Sequence, residues 1–144
     1  MTMTLLRLTL IFSVLLLAAC SDDDDSISGT YKIASITNSN CNNPAENYDL
    51  NLEDDGCDTL SGIEVCESGT INFSADGNFT STLRLNAPAL GDIFSFNSTG
   101  TYVANGSNLT VCAQFCEDWT LSGDKLIFTQ TNNGCESVIE MLRL

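Results

Sequence analysis

Two β-strands and the turn between them can be read from Thr70-Ile71-Asn72-Phe73-Ser74-Ala75-Asp76-Gly77-Asn78-Phe79-Thr80-Ser81-Thr82-Leu83-Arg84-Leu85. Apolar and polar residues alternate on either side of Asp76-Gly77, which is the period of a strand with one buried face. Phe79, Leu83 and Leu85 therefore share a face that we expect to be buried. Asp76-Gly77 and its polar neighbours supply the turn that joins the two strands.

The same alternation continues on both sides of this hairpin. Upstream, Ile27–Thr37 predicts a first strand, and the polar residues 38–61 predict a long loop. Downstream, residues 86–92 include a proline and predict a second loop, which could form a lip. The strands expected after it are Ile93–Phe96, Gly100–Ala104, Asn108–Cys112, Glu117–Leu121, Lys125–Gln130 and Ser137–Leu144.

These segments predict an all-β fold. No stretch beyond residue 19 sustains a helical period, and the short strands are joined mostly by tight turns. An antiparallel up-and-down meander is the simplest topology for such a series. Closure of the meander into a barrel of about eight strands would remove its exposed edges.

Residues 1–19 have the layout of a secretory signal peptide, in which Arg7 precedes an apolar run and then small residues. The run is too short for a membrane span, which takes about 20 apolar residues. An ordinary cleaved signal peptide would explain this segment by itself. Leu17-Ala18-Ala19-Cys20, however, resembles the lipobox of bacterial lipoproteins. The resemblance implies that Cys20 carries a diacylglycerol, becomes the first residue after cleavage and anchors the protein to a membrane.

The residues directly after the lipobox are Ser21, Asp22, Asp23, Asp24 and Asp25. Because like charges repel, this run could act simply as an extended, solvated spacer. It also resembles the surface-export signal of Bacteroidota lipoproteins, in which acidic residues follow the lipidated cysteine. That resemblance implies an outer-membrane location on the cell surface. The chain then divides into a cleaved signal peptide (1–19), a lipidated acidic tether (20–26) and a folded domain (27–144).

The chain is strongly acidic, with 5 basic residues, 19 acidic residues, no histidine and a formal net charge of −14. Removal of residues 1–19 would take away Arg7 and no acidic residue, which leaves a net charge of −15 on the remaining 125 residues. Nucleic acids are bound through lysine and arginine patches, so this charge excludes a nucleic-acid partner. A chain of this length is expected to form one domain.

Six cysteines remain when Cys20 is set aside from the seven in the chain. An even number in an exported protein indicates three disulfides, and the sequence alone leaves fifteen connectivities open. Zinc binding is the competing interpretation, but there is no histidine and no paired C-x-x-C spacing. In one straight strand Cys112 and Cys116 would lie about 13 Å apart, too far for a disulfide. We expect Ala113–Phe115 to be a turn, and the pairs to be Cys112–Cys116, Cys57–Cys66 and Cys41–Cys135.

The chain from Gly29 to Leu144 resembles the lipocalin-like domains of Bacteroidota lipoproteins. The resemblance rests on Gly29-Thr30-Tyr31 in an early strand, on D-G-x-F and G-x-x-L hairpins such as Asp76–Phe79, and on the terminal Leu142-Arg143-Leu144. It implies an up-and-down barrel with a ligand-sized interior. It also implies that Tyr31 and Arg143 pack across the barrel floor, where lipocalins have a tryptophan and an arginine. Tyrosine in place of that tryptophan is a departure from the family pattern.

Aromatic residues are the candidates for the lining of such an interior. They are Phe94, Phe96, Tyr102 and Trp119. In a small barrel, inward aromatic side chains also serve simply as core. The sequence leaves these two roles open.

Enzymatic chemistry has little support in the sequence. There is no histidine to act as a general base or to activate a nucleophile. The dense acidic pairs, Asp54-Asp55 and Glu117-Asp118, are expected in turns. The oxygen-rich loop Asn51–Gly56 follows an EF-hand frame until its twelfth position, where Gly62 replaces the required glutamate. We therefore expect no enzymatic activity, no cofactor and no metal site.

Two functions are consistent with these features. The first is an outer-membrane surface lipoprotein whose barrel binds a small molecule, including a hydrophobic one. The second is a non-enzymatic structural or interaction protein with a filled barrel, which presents the loops 38–61 and 86–92 to a protein or glycan partner. An enclosed cavity would favour the first function, and a packed interior would favour the second.

Overall fold

The computed structural model describes residues 26–144, of which 69% lie in β-strands. The predicted signal peptide (1–19), the lipidation site Cys20 and the acidic run 21–25 lie outside the described residues. Within residues 26–144, no helix has both the length and the apolar character that a membrane crossing requires.

Eleven strands and one 3-10 helical turn follow one another along the described chain. The strands are β1 (Gly29–Ser39), β2 (Tyr48–Asn51), β3 (Cys57–Leu60), β4 (Ile63–Ser68), β5 (Ile71–Phe73), β6 (Asn78–Ala87), β7 (Gly91–Asn105), β8 (Asn108–Cys112), β9 (Cys116–Ser122), β10 (Lys125–Asn132) and β11 (Cys135–Arg143). The helical turn, Pro44–Glu46, lies between β1 and β2.

Eight of these strands close into an antiparallel barrel, which confirms the predicted fold class. Strands that are neighbours in the chain pair with each other from β5 to β11, and β11 then pairs with β1. The short strand β5 closes the ring because it pairs with β1 on one side and with β6 on the other. The result is an up-and-down barrel.

The barrel has two different ends. The β5–β6, β7–β8 and β9–β10 turns lie at one end together with the start of β1 and the end of β11, and we call it the closed end. The β1–β2, β6–β7, β8–β9 and β10–β11 connections lie at the opposite end, which we call the open end. Side chains that alternate along each strand point into the barrel or out to solvent.

Three further strands fill the space between β1 and β6 on the open-end side of β5. β2 pairs with β1, β4 pairs with β6, and β3 pairs with β4. The N–H of Asn51 donates to Asp58 Oδ2 at 2.7 Å and so links β2 to β3. The predicted loop over residues 38–61 is therefore wrong in part, because it contains β2 and β3. Both strands are four residues long, and Leu50 is the one fully buried residue in them, so alternation gave a weak signal.

The predicted loop over residues 86–92 is also wrong. β6 runs to Ala87 and β7 begins at Gly91, so the two strands are joined by a tight turn in which Leu90 N–H donates to Ala87 O at 2.9 Å. Pro88 sits inside this turn, where its fixed φ is favourable, and does not interrupt a strand. The two strands predicted after the loop are one strand, β7, because Asn97–Thr99 keep their register against β6.

Aromatic side chains fill the closed half of the barrel. Phe73 lies at their centre. Its ring centroid is 5.9 Å from that of Tyr31, 5.0 Å from that of Tyr102 and 6.2 Å from that of Trp119. All three contacts are edge-to-face, which is a favourable arrangement of aromatic quadrupoles. The buried aliphatic residues around them include Ile33, Leu50, Leu52, Val65, Ile71, Leu109, Leu126 and Met141.

Three disulfides tie the strands together, and they are the pairs that the sequence predicts. Cys41–Cys135 joins the segment just after β1 to the start of β11 across 94 residues. Cys57–Cys66 links β3 to β4, and Cys112–Cys116 closes the β8–β9 hairpin around the turn Ala113–Phe115. The described residues thus supply both the packed core and all three disulfides.

Candidate functional site

A cavity of about 150 Å³ lies inside the open half of the barrel, next to the Phe73 cluster. Alternation along β6, β7, β9, β10, β11 and β1 points its lining residues inward. Glu117 and Gln130 are the polar residues among them. The full lining is Ile33, Leu83, Phe94, Phe96, Glu117, Trp119, Phe128, Gln130, Ile139 and Met141. The cavity surface is therefore mainly apolar and rich in aromatic rings.

The wall of the barrel is incomplete beside this cavity, because the β8–β9 hairpin is shorter than its neighbours. The ladder between β7 and β8 ends at Thr101 and Cys112, although β7 continues toward the open end as far as Gly91. The ladder between β9 and β10 ends at Trp119 and Phe128. The open-end parts of β7 and β10 are therefore separated by a gap, and the β8–β9 turn forms its floor.

A groove of about 270 Å³ occupies this gap on the outside of the barrel. Its walls are the Ser95–Ser98 segment of β7 and the Ala113–Phe115 turn. Phe96 and Glu117 line both the groove and the interior cavity. The cavity is thus adjacent to the exterior through the side of the barrel as well as through its open end.

Three of the four predicted lining residues reach the cavity, namely Phe94, Phe96 and Trp119. Tyr102 instead takes the other role that the sequence leaves open, that of a core residue. Its ring packs on Phe73, and its hydroxyl donates to the carbonyl of Ser74 at 2.7 Å. Six residues of strand separate Phe96 from Tyr102, a distance of about 20 Å that carries Tyr102 to the closed end.

Sequence reasoning missed Phe128 and Ile139, which complete the cavity wall. Both residues lie in segments that the sequence predicts as strands, and for Phe128 the alternation along β10 indicates an inward side chain. Leu126, Phe128 and Gln130 alternate along β10, so a buried Leu126 implies an inward Phe128. Phe128 lies 5.5 Å from Trp119 between ring centroids.

Trp119 links the cavity to the packed half of the barrel. One neighbour of its indole ring is Phe73, in the closed half, and another is Phe128, in the cavity wall. Its Nε1 atom is buried and has no hydrogen-bond partner among residues 26–144. Such an unpaired donor costs about 1–3 kcal/mol. Protein atoms cover Nε1, so a ligand in the cavity can contact the aromatic ring of Trp119 but not its N–H group.

Tyr31 and Arg143, the predicted floor pair, lie together at the closed end. Arg143 Nη2 donates to Tyr31 Oη at 2.9 Å and Arg143 Nε donates to it at 3.2 Å. The Tyr31 hydroxyl donates to the carbonyl of Ile27 at 3.1 Å, and the guanidinium also bonds the carbonyl of Ser26. These bonds hold the first residues of the domain against the barrel base. The cavity and the floor pair therefore occupy opposite halves of the barrel.

A partly buried carboxyl group lies on β4, away from the cavity lining. Glu67 Oε2 is buried without a hydrogen-bond partner in the described part of the chain. Burial raises the pKa of Glu67, and the positive charge of Lys32 opposes that shift in part. Ionisation of Glu67 is therefore less favourable in the folded protein than in the unfolded chain.

Two groups of cysteine and glutamate side chains lie close enough together to resemble metal sites. One is formed by Cys41, Glu46 and Cys135, and the other by Cys57, Glu64 and Cys66. In both groups the two cysteines form a disulfide, whose sulfurs are not thiolate ligands. Each group therefore offers a metal only one carboxylate.

The chain matches no protein family model, and no curated protein and no solved structure is significantly similar to it. The site has to be interpreted from its own geometry. That geometry is an aromatic cavity inside the barrel, with polar residues at its edge and the groove beside it.

Proposed function

We propose that this protein is a lipid-anchored protein of the outer-membrane surface whose barrel binds a small molecule. The observation that carries the binding proposal is the apolar cavity of about 150 Å³ beside the gap between β7 and β10. A barrel of about eight strands can be filled by side chains or can hold one small ligand. Here the closed half is filled, and the open half contains the cavity.

The size of the cavity limits what it can hold. A dry apolar cavity of about 150 Å³ accommodates a group the size of one benzene ring. Pockets for larger ligands usually measure about 300–1,000 Å³. A bigger ligand would have to extend from the cavity into the adjoining groove of about 270 Å³. We therefore propose a ligand with one compact group inside the barrel and any remainder between β7 and the β8–β9 turn.

The proposed anchor and location rest on the sequence of residues 17–25. The lipobox-like Leu17–Cys20 and the acidic run Ser21–Asp25 support lipidation of Cys20 and export to the outer surface. One acyl chain gives only marginal membrane binding, at about 0.8 kcal/mol for each buried methylene, whereas two or more anchor a protein stably. Metabolic labelling with an alkyne-tagged fatty acid tests this proposal. The label should be present in the unaltered chain and absent from a Cys20→Ala variant.

Native mass spectrometry tests the binding proposal. Residues 21–144, which include all of the described barrel, are exported in the native host, so that the disulfides form and the natural ligand is present, and are purified without detergent. We expect a mass above that of the protein, and loss of the excess on denaturation would identify the ligand. A variant that fills the cavity, Ile139→Trp, provides the control and should purify without the extra mass. If the protein purified from its native host carried no additional mass, the binding proposal would be contradicted.

The exposed apolar side chains at the open end favour a second candidate function, which is interaction with a protein or glycan partner. Leu90 is 70% exposed, Ile93 is 51% exposed and Phe115 is 81% exposed. Leu90 and Ile93 lie at or beside the β6–β7 turn, and Phe115 lies at the tip of the β8–β9 turn. Substitution of Leu90 and Ile93 by serine should weaken such an interaction and leave small-molecule binding in place, because neither residue lines the cavity or the groove. Neither candidate function includes a catalytic step.

A further inference from the structure

We infer that the cavity selects an organic cation, namely an alkylated or quaternary ammonium group. This inference rests on the proposed ligand-binding function and specifies the class of ligand. Four features of the described residues support it: the aromatic lining, the carboxylate at the rim, the position of every basic side chain and the charge of the whole domain.

The aromatic lining is the first feature. Phe94, Phe96, Trp119 and Phe128 all face the cavity. The face of an aromatic ring carries partial negative charge and attracts a cation within about 6 Å of the ring centre. Cages of such rings are the usual way in which proteins bind quaternary ammonium groups. Four rings that line a cavity of about 150 Å³ supply the residue types of such a cage.

The second feature is the carboxylate of Glu117. It is two residues before Trp119 on β9, so both side chains point to the same side of the strand. Glu117 lines the cavity and also the external groove, which places its carboxylate at the junction of the two. The one salt bridge among residues 26–144 joins Lys125 to Glu140. Glu117 therefore has no ion-pair partner in this part of the chain. Its charge is available to an incoming cation.

The third feature is the position of the basic residues, which are Lys32, Arg84, Lys125 and Arg143 in the described part of the chain. None of them lines the cavity. Lys32 donates to the carbonyl of Glu53, Lys125 pairs with Glu140, and Arg143 bonds Tyr31. A carboxylate or phosphate ligand would therefore enter an apolar site without a counter-ion and close to Glu117. Such burial of an unpaired charge is strongly unfavourable.

The fourth feature is the negative charge of the described residues 26–144, which contain 15 acidic and 4 basic residues and so carry a formal net charge of −11. A field of this sign raises the local concentration of cations and repels anions, and the effect falls as ionic strength rises. An uncharged apolar ligand would gain nothing from either the field or Glu117. The lining, the rim and the overall charge thus favour the same class of ligand.

The test compares probes that share one shape and differ in charge. Choline is the cation, 3,3-dimethylbutan-1-ol is its neutral analogue, and 3,3-dimethylbutanoate is the anion. Trp119 is the one tryptophan of the chain, so its fluorescence reports occupancy of the cavity directly. Titration calorimetry measures the affinities. We expect choline to bind at least about tenfold more tightly than the alcohol, with an affinity that falls as salt is added, and no binding of the anion.

Two substitutions separate the contributions of charge and ring. Glu117→Gln should weaken choline binding about tenfold and leave the alcohol unaffected. Phe94→Leu should weaken choline more than the alcohol, because it removes a ring and retains an apolar side chain. Asp118→Asn is the matched control, since Asp118 lies on the opposite face of β9 and accepts a hydrogen bond from Thr110 that asparagine can keep. It should leave all three affinities unchanged.

The possible results distinguish this inference from the function on which it rests. Equal binding of choline and the alcohol, with no response to Glu117→Gln, would overturn selection of a cation and leave the proposed binding function intact. Absence of binding for all three probes would overturn the inference as well. The native mass measurement decides the binding function separately, because it does not depend on the choice of probe.

Discussion

The guanidinium of Arg143 donates two hydrogen bonds to the hydroxyl of Tyr31, at 2.9 and 3.2 Å, and lies 5.5 Å from the centre of its ring. The two residues are register partners in the pairing of β1 with β11. One polar contact therefore joins the first and last strands at the barrel base. Through its own bond to Ile27, Tyr31 also fixes the residues that precede β1.

Tyr31→Phe should destabilise the barrel while preserving the packing of the ring on Phe73. The change removes the acceptor for Arg143 and leaves the buried carbonyl of Ile27 without its donor. We expect a loss of about 1–3 kcal/mol in the free energy of unfolding, measured by urea titration. Tyr48→Phe is the control, because Tyr48 is half-buried and its hydroxyl makes no hydrogen bond within the described residues. Equal losses for both variants would contradict the role assigned to the floor pair.

The disulfide Cys41–Cys135 should contribute most to stability among the three. Its cysteines are 94 residues apart, against 9 for Cys57–Cys66 and 4 for Cys112–Cys116. Chain-entropy estimates give about 5 kcal/mol for the longest loop and about 2–3 kcal/mol for the two short ones. Urea unfolding of the three paired serine variants tests this order. Losses that do not depend on loop length would show that strain or denatured-state structure dominates.

Gly100→Ala should be among the most damaging single substitutions in the barrel wall. A Cβ atom at this position would lie 2.0 Å from the carbonyl oxygen of Cys112 and 2.8 Å from a ring carbon of Phe79. The strands β7 and β8 would have to separate, and we expect a cost of about 3 kcal/mol or more. Gly106→Ala meets no atom within 4 Å but places alanine at a φ of +61°, which should cost only about 1–2 kcal/mol. Thermal unfolding of the two variants measures the difference.

The raised pKa of Glu67 should make its contribution to stability depend on pH in a defined direction. A carboxyl group with a raised folded-state pKa favours folding while protonated, so this contribution is complete below its ordinary pKa of 4.5 and is lost as the pH rises through the higher folded value. Glu67→Gln should therefore stabilise the protein at pH 7 relative to the unaltered chain. The gain should shrink toward pH 4, when urea midpoints are compared at both values.

Asp76 provides a comparison of opposite sign. Hydrogen bonds from Ser74 and Asn78 lower the pKa of Asp76, so its contribution is present at neutral pH and is lost as the pH falls through that lowered value. Asp76→Asn should therefore cost more stability at pH 7 than in acid. If both variants changed stability equally at every pH, neither carboxyl group would be coupled to folding.

The sequence was sufficient to predict the class of fold. Alternation in segments such as Phe79–Leu85 specified half-buried strands, and the Asp76-Gly77 turn joins two of them as an antiparallel pair. Where a strand is short and pairs at the edge of the sheet, as β2 and β3 do, few of its side chains are buried. The alternation of apolar and polar residues is then weak, and for this reason the sequence predicted a loop over residues 38–61.

The cavity could be predicted only in part. Alternation identifies the inward face of β7, but it does not give the depth of a side chain along the barrel axis. Phe96 and Tyr102 share that face, and one lines the cavity while the other belongs to the packed half. The gap beside the cavity depends on how far the β8–β9 ladder extends relative to its neighbours. That length is a property of pairing between strands, which a single sequence does not show.

The closed end of the barrel also determines how the molecule would stand on a surface. Ser26 enters the fold at that end, bonded to Arg143, whereas the cavity lies toward the other end. Residues 20–25 can span at most about 20 Å when fully extended. A protein attached through Cys20 would therefore be held at its closed end, and its open end would point away from the lipid toward the surrounding medium. The proposed ligand would then enter the cavity from the surrounding medium, and the membrane would serve only as the site of attachment.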